Sequence, residues 1–441
     1  MAKFFPQLSV NVFSGTKSQP WFPADLTIVN YDIVYARVDD LIALNPKALV
    51  CDESHRIANG KAKHHCPECG MAGLRVNAKR CPQCKAKFDA PAEKWTVKRT
   101  EGVIRISRSM EGDPLKLLLT GTPINNRPIE LVSQLIAIDR IDEFGGRWRF
   151  AQRYCPGGTG ASNLVELNKK LRQLCFIRRK KEDIYTELPP LVDAPVPLEI
   201  GAKEMQRYAE IERDVVEFMA NRAREIAEEA GEDGDAVYVE KKIRLEAVEH
   251  LVRIAGLKTA ISTLKYDAVV KWIEDFLADS DEKLIVMGEH ISMIEKLSEH
   301  FGPKLSVKIR GGVSQKMRME AVDRFQNDPK TRLFIGSSIA ASEGLTLTAA
   351  SNIAMIEHPW TPSIVAQCAA RCWGRISNLH GATMWHLVVP NTIDVEILEL
   401  LSKKKKVVDA ATDGVELDGK QGSVLGDLLI SLARRGGGLP D

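Results

Sequence analysis

Nothing in these 441 residues reads as a membrane span, a secretory leader or a tandem repeat. No apolar run approaches the ~20 residues that crossing a bilayer requires. The N-terminus, MAKFFPQLSV, has no basic stretch leading into an apolar core. No self-similarity recurs at a solenoid period. The phosphate-binding pattern G-x-x-x-x-G-K-[ST] is also missing: Gly15-Thr16-Lys17-Ser18 lacks the loop, and Gly60-Lys61 is followed by Ala62. Aromatic residues are only 6% of the chain, but the hydrophobic 44% and charged 27% are ordinary for a folded protein and exclude disorder or a fibrous repeat as the main state. The length allows about three domains.

The net charge of +2 is uninformative as a total and informative as a distribution. Between Ser54 and Arg108 there are 13 Lys/Arg against 4 Asp/Glu, so the remainder is acidic on balance. Such asymmetry fits a polyanion-binding surface or a solvated face. Of nine cysteines, four fall at Cys66, Cys69, Cys81 and Cys84, and the rest are scattered. An odd count in a chain of this length without a leader predicts a reduced intracellular (cytoplasmic) protein and no disulfide framework.

Three regimes follow one another. The first alternates strand-length apolar runs, Leu26 to Val34, Lys47 to Glu53 and Leu115 to Pro123, with helical patterns such as Ile129 to Asp139. Runs of this kind predict strands buried on both faces of a parallel sheet. The second, from about Val192 to Thr263, repeats apolar residues at helical spacing (Tyr208, Ile211, Val215, Met219), with a turn at Gly231 to Asp235. The third offers strands at Lys283 to His290, Thr331 to Ser338, Asn352 to His358 and Met384 to Pro390, before a Gly-rich tail with a short helix at Leu425 to Arg435. The expected fold class is α/β. The expected domains are 1–190 with an insert at 62–94, a helical segment 191–263, a second α/β domain 264–410 and a tail 411–441.

The chemistry concentrates at strand ends. In VCDESH (Val50 to His55), Asp52 and Glu53 close a buried strand, where open α/β sheets place ligands. Adjacent carboxylates there suit nucleotide hydrolysis, one holding Mg²⁺ and one orienting the attacking water. LLLTGTPINN (Leu117 to Asn126), FIRRKKEDIYTELP (Phe176 to Pro189) and the long segment Ile335 to Asn378 complete an ordered series.

In that series the chain resembles the Swi/Snf-like branch of superfamily-two helicases and translocases, in its compact annealing-helicase and phage or bacterial form, from about residue 8 to 414. The resemblance implies a DNA-stimulated ATPase of two RecA-like lobes, the first incomplete, with ATP and Mg²⁺ between them. By position, Asp52 and Glu53 match the Walker B pair. Thr120, Gly121 and Thr122, with Asn125 beyond them, match the motif that couples hydrolysis to DNA. Gly344 and Gln367 match nucleotide-contacting positions, and Arg371 and Arg375 match the arginine fingers that stabilise the γ-phosphoryl charge. The spacing of Gln367, Arg371 and Arg375 predicts one helix presenting all three on one face. The family usually spaces the two arginines by three residues; here the spacing is four, which leaves the finger open, with Arg375 the first choice. Arg178, Arg179 and Trp360 are the remaining implied DNA contacts. They would read the backbone, so sequence-independent binding is expected.

The missing loop is the larger departure. Without its amides and lysine, nothing cradles the β- and γ-phosphates. A truncated gene, a split enzyme completed by a separate N-terminal P-loop polypeptide, or a descendant that kept DNA binding and lost hydrolysis all remain open. The alternative reading is therefore a non-hydrolysing zinc protein that binds DNA on a helicase scaffold.

Between Walker B and the Thr-Gly-Thr strand lies an insert carrying C-x2-C-x11-C-x2-C at Cys66, Cys69, Cys81 and Cys84. Two knuckles of two thiolates each predict a closed, structural Zn²⁺ site. The insert is too small for its own core, so metal must hold it. Its basic residues, Arg75, Lys79, Arg80, Lys85 and Lys87, fit a DNA-contacting ribbon or a structural knob equally.

Overall fold

The computed structural model describes residues 6–17, 22–58, 62–69, 71, 79–87, 92–156, 160–230, 236–341, 344–374, 381–417 and 424–435. Two compact units emerge, residues 1–176 with 410–420 and residues 177–409 with 421–441. Both are α/β, as the alternating runs predict.

In the first unit, β1 (Val10–Phe13) pairs in parallel with β2 (Leu26–Val29), and the chain continues through α1 (Tyr31–Val34) and α2 (Val38–Ala43). The apolar run from Leu26 therefore splits. Asn30 ends the strand and its side chain caps α1 by accepting from Asp32 N at 3.0 Å, as Asx side chains do at helix starts. Next come β3 (Ala48–Asp52), the antiparallel hairpin of β4 (Ala62–His65) and β5 (Ala92–Trp95), α3 (Lys98–Ser109), and β6 (Leu115–Leu119), which lies parallel to β3 with Asp52 level with Leu119. Helices α4 (Leu131–Ala137), α5 (Gly146–Tyr154) and α6 (Leu164–Leu174) follow. Val34, Leu41, Cys51, Ile57, Val103, Ile104 and Ala137 form the core. Gly102 lets α3 approach closely, since a Cβ there would sit 3.1 Å from the Tyr35 backbone.

The expectation that these strands are buried on both faces is corrected. Cys51 is buried, but Val50 is 54% exposed and Leu115, Leu117 and Leu119 share that open side. The helices carrying Val103, Ile104 and Ala137 pack with Cys51 on the opposite side only.

In the second unit, α7 (Lys181–Ile184) leads to β7 (Leu191–Pro197), the first strand of a six-stranded, wholly parallel sheet. The chain runs on through α8 (Ala202–Ala230), α9 (Ala236–Leu264), α10 (Tyr266–Asp279), β8 (Leu284–Gly288), α11 (Ile291–Leu305), β9 (Ser306–Ile309), α12 (Gln315–Asn327), β10 (Leu333–Ser337), α13 (Ser338–Ala341), β11 (Asn352–Met355), α14 (Pro362–Ala369), β12 (Ala382–Val388), α15 (Ile393–Asp413) and α16 (Val424–Arg435). Sheet order is β7-β12-β11-β8-β10-β9. β8 is buried at every position, with one apolar cluster on each side of the sheet, as a central parallel strand requires. α16 packs against both α8 and α9. The turn expected at Gly231 to Asp235 lies outside the described residues. Among the described residues, no helix is long and apolar enough to cross a membrane.

Candidate functional site

Asp52 ends β3 exposed, with its Oδ1 accepting from Glu53 N at 3.0 Å. Tyr31 Oη donates to the Asp52 carbonyl at 2.7 Å, fixing the strand end from behind. Glu53 takes φ +50°, a left-handed conformation uncommon for a side chain of this size, and so turns the chain sharply out of the sheet. That turn brings His55 back, with Nδ1 3.2 Å from Glu53 Oε2 and 3.2 Å from Thr120 Oγ1. Thr120 Oγ1 also accepts from Thr122 N at 3.0 Å, closing the Thr-Gly-Thr turn at the end of β6.

Below this surface lies a buried polar layer. Ser54 Oγ donates to Gln134 Oε1 at 3.1 Å, and Gln134 Nε2 donates to the Pro123 carbonyl at 2.6 Å. Glu130, 2% exposed, accepts from Asn125 N at 2.7 Å and Asn126 N at 3.2 Å. Burial pushes the Glu130 carboxyl above its ordinary range, against the opposing pull of those amides. Asp52, Glu53, Thr120 and Thr122 are thus brought into one network, and Asn125 is tied into it through Glu130. Sequence reasoning missed His55, Ser54, Glu130 and Gln134. The last two had a signal, being polar interruptions in the apolar run Ile129 to Asp139.

In the second unit, Gly344 has φ +64° and is exposed at the start of the Leu345–Leu347 segment. Arg371 is 7% exposed: its Nε donates to the Gln367 carbonyl at 2.9 Å and its Nη1 to the Leu345 carbonyl at 3.2 Å, while Leu347 N donates to the Arg371 carbonyl at 2.9 Å. The expected single helix through Gln367, Arg371 and Arg375 is corrected. α14 ends at Ala369, and Arg371 N and Cys372 N bond back three residues, to Cys368 and Ala369, in a tight turn that Gly374 continues at φ +65°. Arg375 lies outside the described residues. Trp360 is half-buried, with Lys258 Nζ 5.1 Å from its ring centroid and its carbonyl accepting from Lys404 Nζ at 2.6 Å. Arg178 is half-buried and Arg179 exposed.

A second polar knot joins the C-terminal ends of β8 and β11. Glu357 accepts from His290 Nδ1 at 2.6 Å and His290 N at 2.8 Å, and also from Ser262 Oγ. Burial opposes ionisation of Glu357, but His290, Ser262 and the amide outweigh it and bring the carboxyl down to about 2. The hydrogen bond it donates to Glu357 raises the His290 imidazole above its ordinary value.

In the insert, the sulfurs of Cys66, Cys69, Cys81 and Cys84 all lie within 4.8 Å of one another. Each knuckle closes through its backbone: Cys66 N donates to the Met71 carbonyl at 2.9 Å, and Cys81 N to the Ala86 carbonyl at 3.0 Å. Lys85 completes the second at φ +61°. The sulfurs of Cys66 and Cys84, and of Cys69 and Cys81, stand 3.6 Å apart, close to the edge of a tetrahedron with metal–sulfur bonds of about 2.3 Å. Lys79, Arg80, Lys85 and Lys87 are exposed; Arg75 lies outside the described residues.

Comparison with known proteins supplies the family. Residues 265–376 match the family model of the helicase conserved C-terminal domain, and residues 108–250 that of the SNF2-related domain. The human DNA annealing helicase and endonuclease ZRANB3 is 30% identical over 316 residues, 68% of this chain and 27% of that protein. The Xenopus laevis SWI/SNF-related matrix-associated actin-dependent regulator of chromatin subfamily A-like protein 1 is 27% identical over 420 residues, 91% of this chain and 36% of that protein. The chain thus spans about a quarter to a third of these relatives. Among solved structures, the Sulfolobus solfataricus SWI2/SNF2 ATPase core in complex with dsDNA is 19% identical, covering 98% of this chain and 82% of that one, with a TM-score of 0.40.

Proposed function

We propose that this chain, which belongs to the Swi/Snf-like group of superfamily-two helicases and translocases, is the larger part of a DNA-dependent ATPase acting on duplex or branched DNA in replication, repair or recombination. The observation that carries the reading is the Asp52–Glu53 corner bridged by His55 to Thr120. A Glu53 carboxylate that shares the His55 imidazole with the family's coupling turn is suited to making hydrolysis answer to DNA.

Asp52, exposed at the strand end, would hold Mg²⁺, which supplies charge neutralisation on the phosphates. Glu53 orients and deprotonates the attacking water. By its match to the family motif, Arg375 is the residue to stabilise charge on the γ-phosphoryl, and Arg371 positions the Gly344 segment through the Leu345 carbonyl. DNA is held through its phosphates by Thr120 to Asn125, Arg178, Arg179 and Trp360, without base readout. The four cysteines would hold one structural Zn²⁺, since their sulfurs form a closed, four-thiolate set.

The chain lacks a P-loop, so turnover needs one from an additional segment or polypeptide. The open apolar side of β3 and β6, with Val50, Leu115, Leu117 and Leu119 exposed, supports that reading. Parallel strands are normally covered on both faces, and a two-stranded pair is marginal alone. The missing loop also favours a second reading, a zinc-containing DNA-binding protein without turnover. DNA-stimulated phosphate release, measured with the chain alone and with a P-loop polypeptide added, separates the two. Turnover on addition supports the ATPase; its absence in both arms leaves the DNA-binding reading.

A further inference from the structure

The cysteine-bearing hairpin stands on a fixed base. Trp95, at the end of β5, is buried in the same core as Val103 and Ile104, and its N donates to Glu101 Oε2 at 3.1 Å. On the entry side, the Ile57 carbonyl accepts from Ser133 Oγ at 2.7 Å and from Thr100 Oγ1 at 3.1 Å. The second knuckle is ordered by its own backbone. Cys81 N donates to the Ala86 carbonyl and Lys85 N to the Cys81 carbonyl, both at 3.0 Å, and Arg80 pairs with Lys87 in one antiparallel bridge. Two of its cations are tied to that frame: Arg80 Nε donates to the Lys85 carbonyl at 2.9 Å, and Lys85 Nζ to the Pro82 carbonyl at 2.8 Å.

The charge of this knuckle is one-sided. Lys79, Arg80, Lys85 and Lys87 are all exposed, and residues 79–87 contain no acid. The first knuckle, by contrast, carries Glu68 and no cation. Arg80 and Lys87 stand opposite one another in the bridge, which puts both side chains on one face. Like charges so placed weaken the pairing, and the fold alone gives no reason for them. Four thiolates around Zn²⁺ leave two negative charges, so they offset only half of the four positive ones beside them. Among the described residues of the insert, no large apolar or aromatic side chain is exposed. Docking of a protein normally needs such an anchor, whereas a polyanion backbone needs only the cations.

We propose that the second knuckle is a separate contact for the DNA phosphate backbone, made by Arg80 and Lys87 with Lys79 and Lys85 beside them. The four thiolates fix the knuckle and the cations meet phosphates, displacing the counterions condensed there. Contacts of this kind carry no base readout, so the surface adds affinity without sequence preference. The hairpin lies outside both regions matched to family models, so this contact is an addition of this chain to the helicase scaffold. The inference rests on the proposed DNA-binding function and on the structural-zinc reading, and adds to them a surface and its four residues.

The test is equilibrium binding of the full chain to a labelled blunt duplex across about 50 to 200 mM salt, with zinc content measured on each protein. The combined variant Lys79→Gln, Arg80→Gln, Lys85→Gln, Lys87→Gln should keep its zinc and bind duplex more weakly. Its slope of log affinity against log salt should be shallower by about two to four, since each phosphate contact contributes about 0.9. The loss should be equal for two unrelated sequences. Lys79→Arg, Lys85→Arg, Lys87→Arg, which keeps every charge, should retain the full slope. Gln83→Lys, which adds a cation to the exposed knuckle, should steepen the slope by about one. An unchanged slope in the combined variant, with zinc retained, overturns this inference alone. Loss of zinc with an unchanged slope assigns the cations to offsetting thiolate charge and overturns it equally. If the combined variant loses both zinc and slope, Gln83→Lys decides: a steeper slope upholds the contact and an unchanged one overturns it. Failure of the unaltered chain to bind duplex at any of these salt concentrations overturns the proposed function as well.

Discussion

His55 Nδ1 and Thr120 Oγ1 stand 3.2 Å apart, joining two segments separated by 65 positions in the chain. The same imidazole nitrogen is 3.2 Å from Glu53, so the acid corner and the Thr-Gly-Thr turn share one ring. Thr120→Val keeps the shape of the side chain but removes the oxygen that also receives Thr122 N. The expected loss is about 1–2 kcal/mol of unfolding free energy, from two modest hydrogen bonds. Thr120→Ser should restore most of it. Urea denaturation of the three proteins checks this, and a valine variant as stable as the unaltered chain would refute the assigned contact.

The two candidate fingers should behave differently. Arg371 is buried and bonds the Gln367 and Leu345 carbonyls. Arg371→Ala leaves two acceptors without partners in a closed site and should lower stability by about 2–4 kcal/mol. Arg375→Ala is expected to lose phosphate release in the P-loop-supplemented assay. Thermal melts and turnover, measured side by side, sort the roles.

The Glu357–His290 pair sets a pH window. Glu357 is depressed from 4.5 to about 2, so its contribution is complete above about pH 4.5 and is lost as pH falls toward 2. His290 is raised above 6.5, so its contribution is complete below that pH and is lost as pH rises through the elevated value. Both shifts describe one ion pair, and its effect is greatest between about pH 4.5 and 6.5. Glu357→Gln should cost about 3 kcal/mol near pH 6, less as the medium is acidified, and almost nothing near pH 2. A cost that is flat across that range would contradict the pairing.

Metal analysis of the purified chain should find one zinc ion per molecule, falling below half in Cys69→Ser. Removing zinc with a chelator should expose the 62–95 segment to protease, because a hairpin with knuckles of this size has no core of its own. Zinc content unchanged in the variant would place the metal elsewhere.

Much of this architecture was legible in the amino-acid order, for reasons visible at particular residues. β8, β10, β11 and β12 were plain because each is an apolar run bounded by polar or turn residues. β7 was hidden by Asp193, Pro195 and Pro197, which an edge strand tolerates and an isolated reading does not. β9 was hidden by its brevity, four residues after the Gly302-Pro303 kink. The cysteine knuckles were readable because their geometry is local. The His55–Thr120 and Ser54–Gln134 contacts were not, because only folding brings those segments together. Arg371 misled because helical spacing was extended past Ala369, where the chain tightens into a turn.

The most direct test of the account is to measure DNA affinity and DNA-stimulated phosphate release together in Glu53→Gln, with a P-loop polypeptide supplied to variant and unaltered chain alike. The account predicts that DNA affinity stays within about two-fold while release falls at least a hundred-fold, as loss of the group that activates water requires. Release that persists in the variant, or DNA affinity that falls in step with it, would contradict the role given to the Asp52–Glu53 corner.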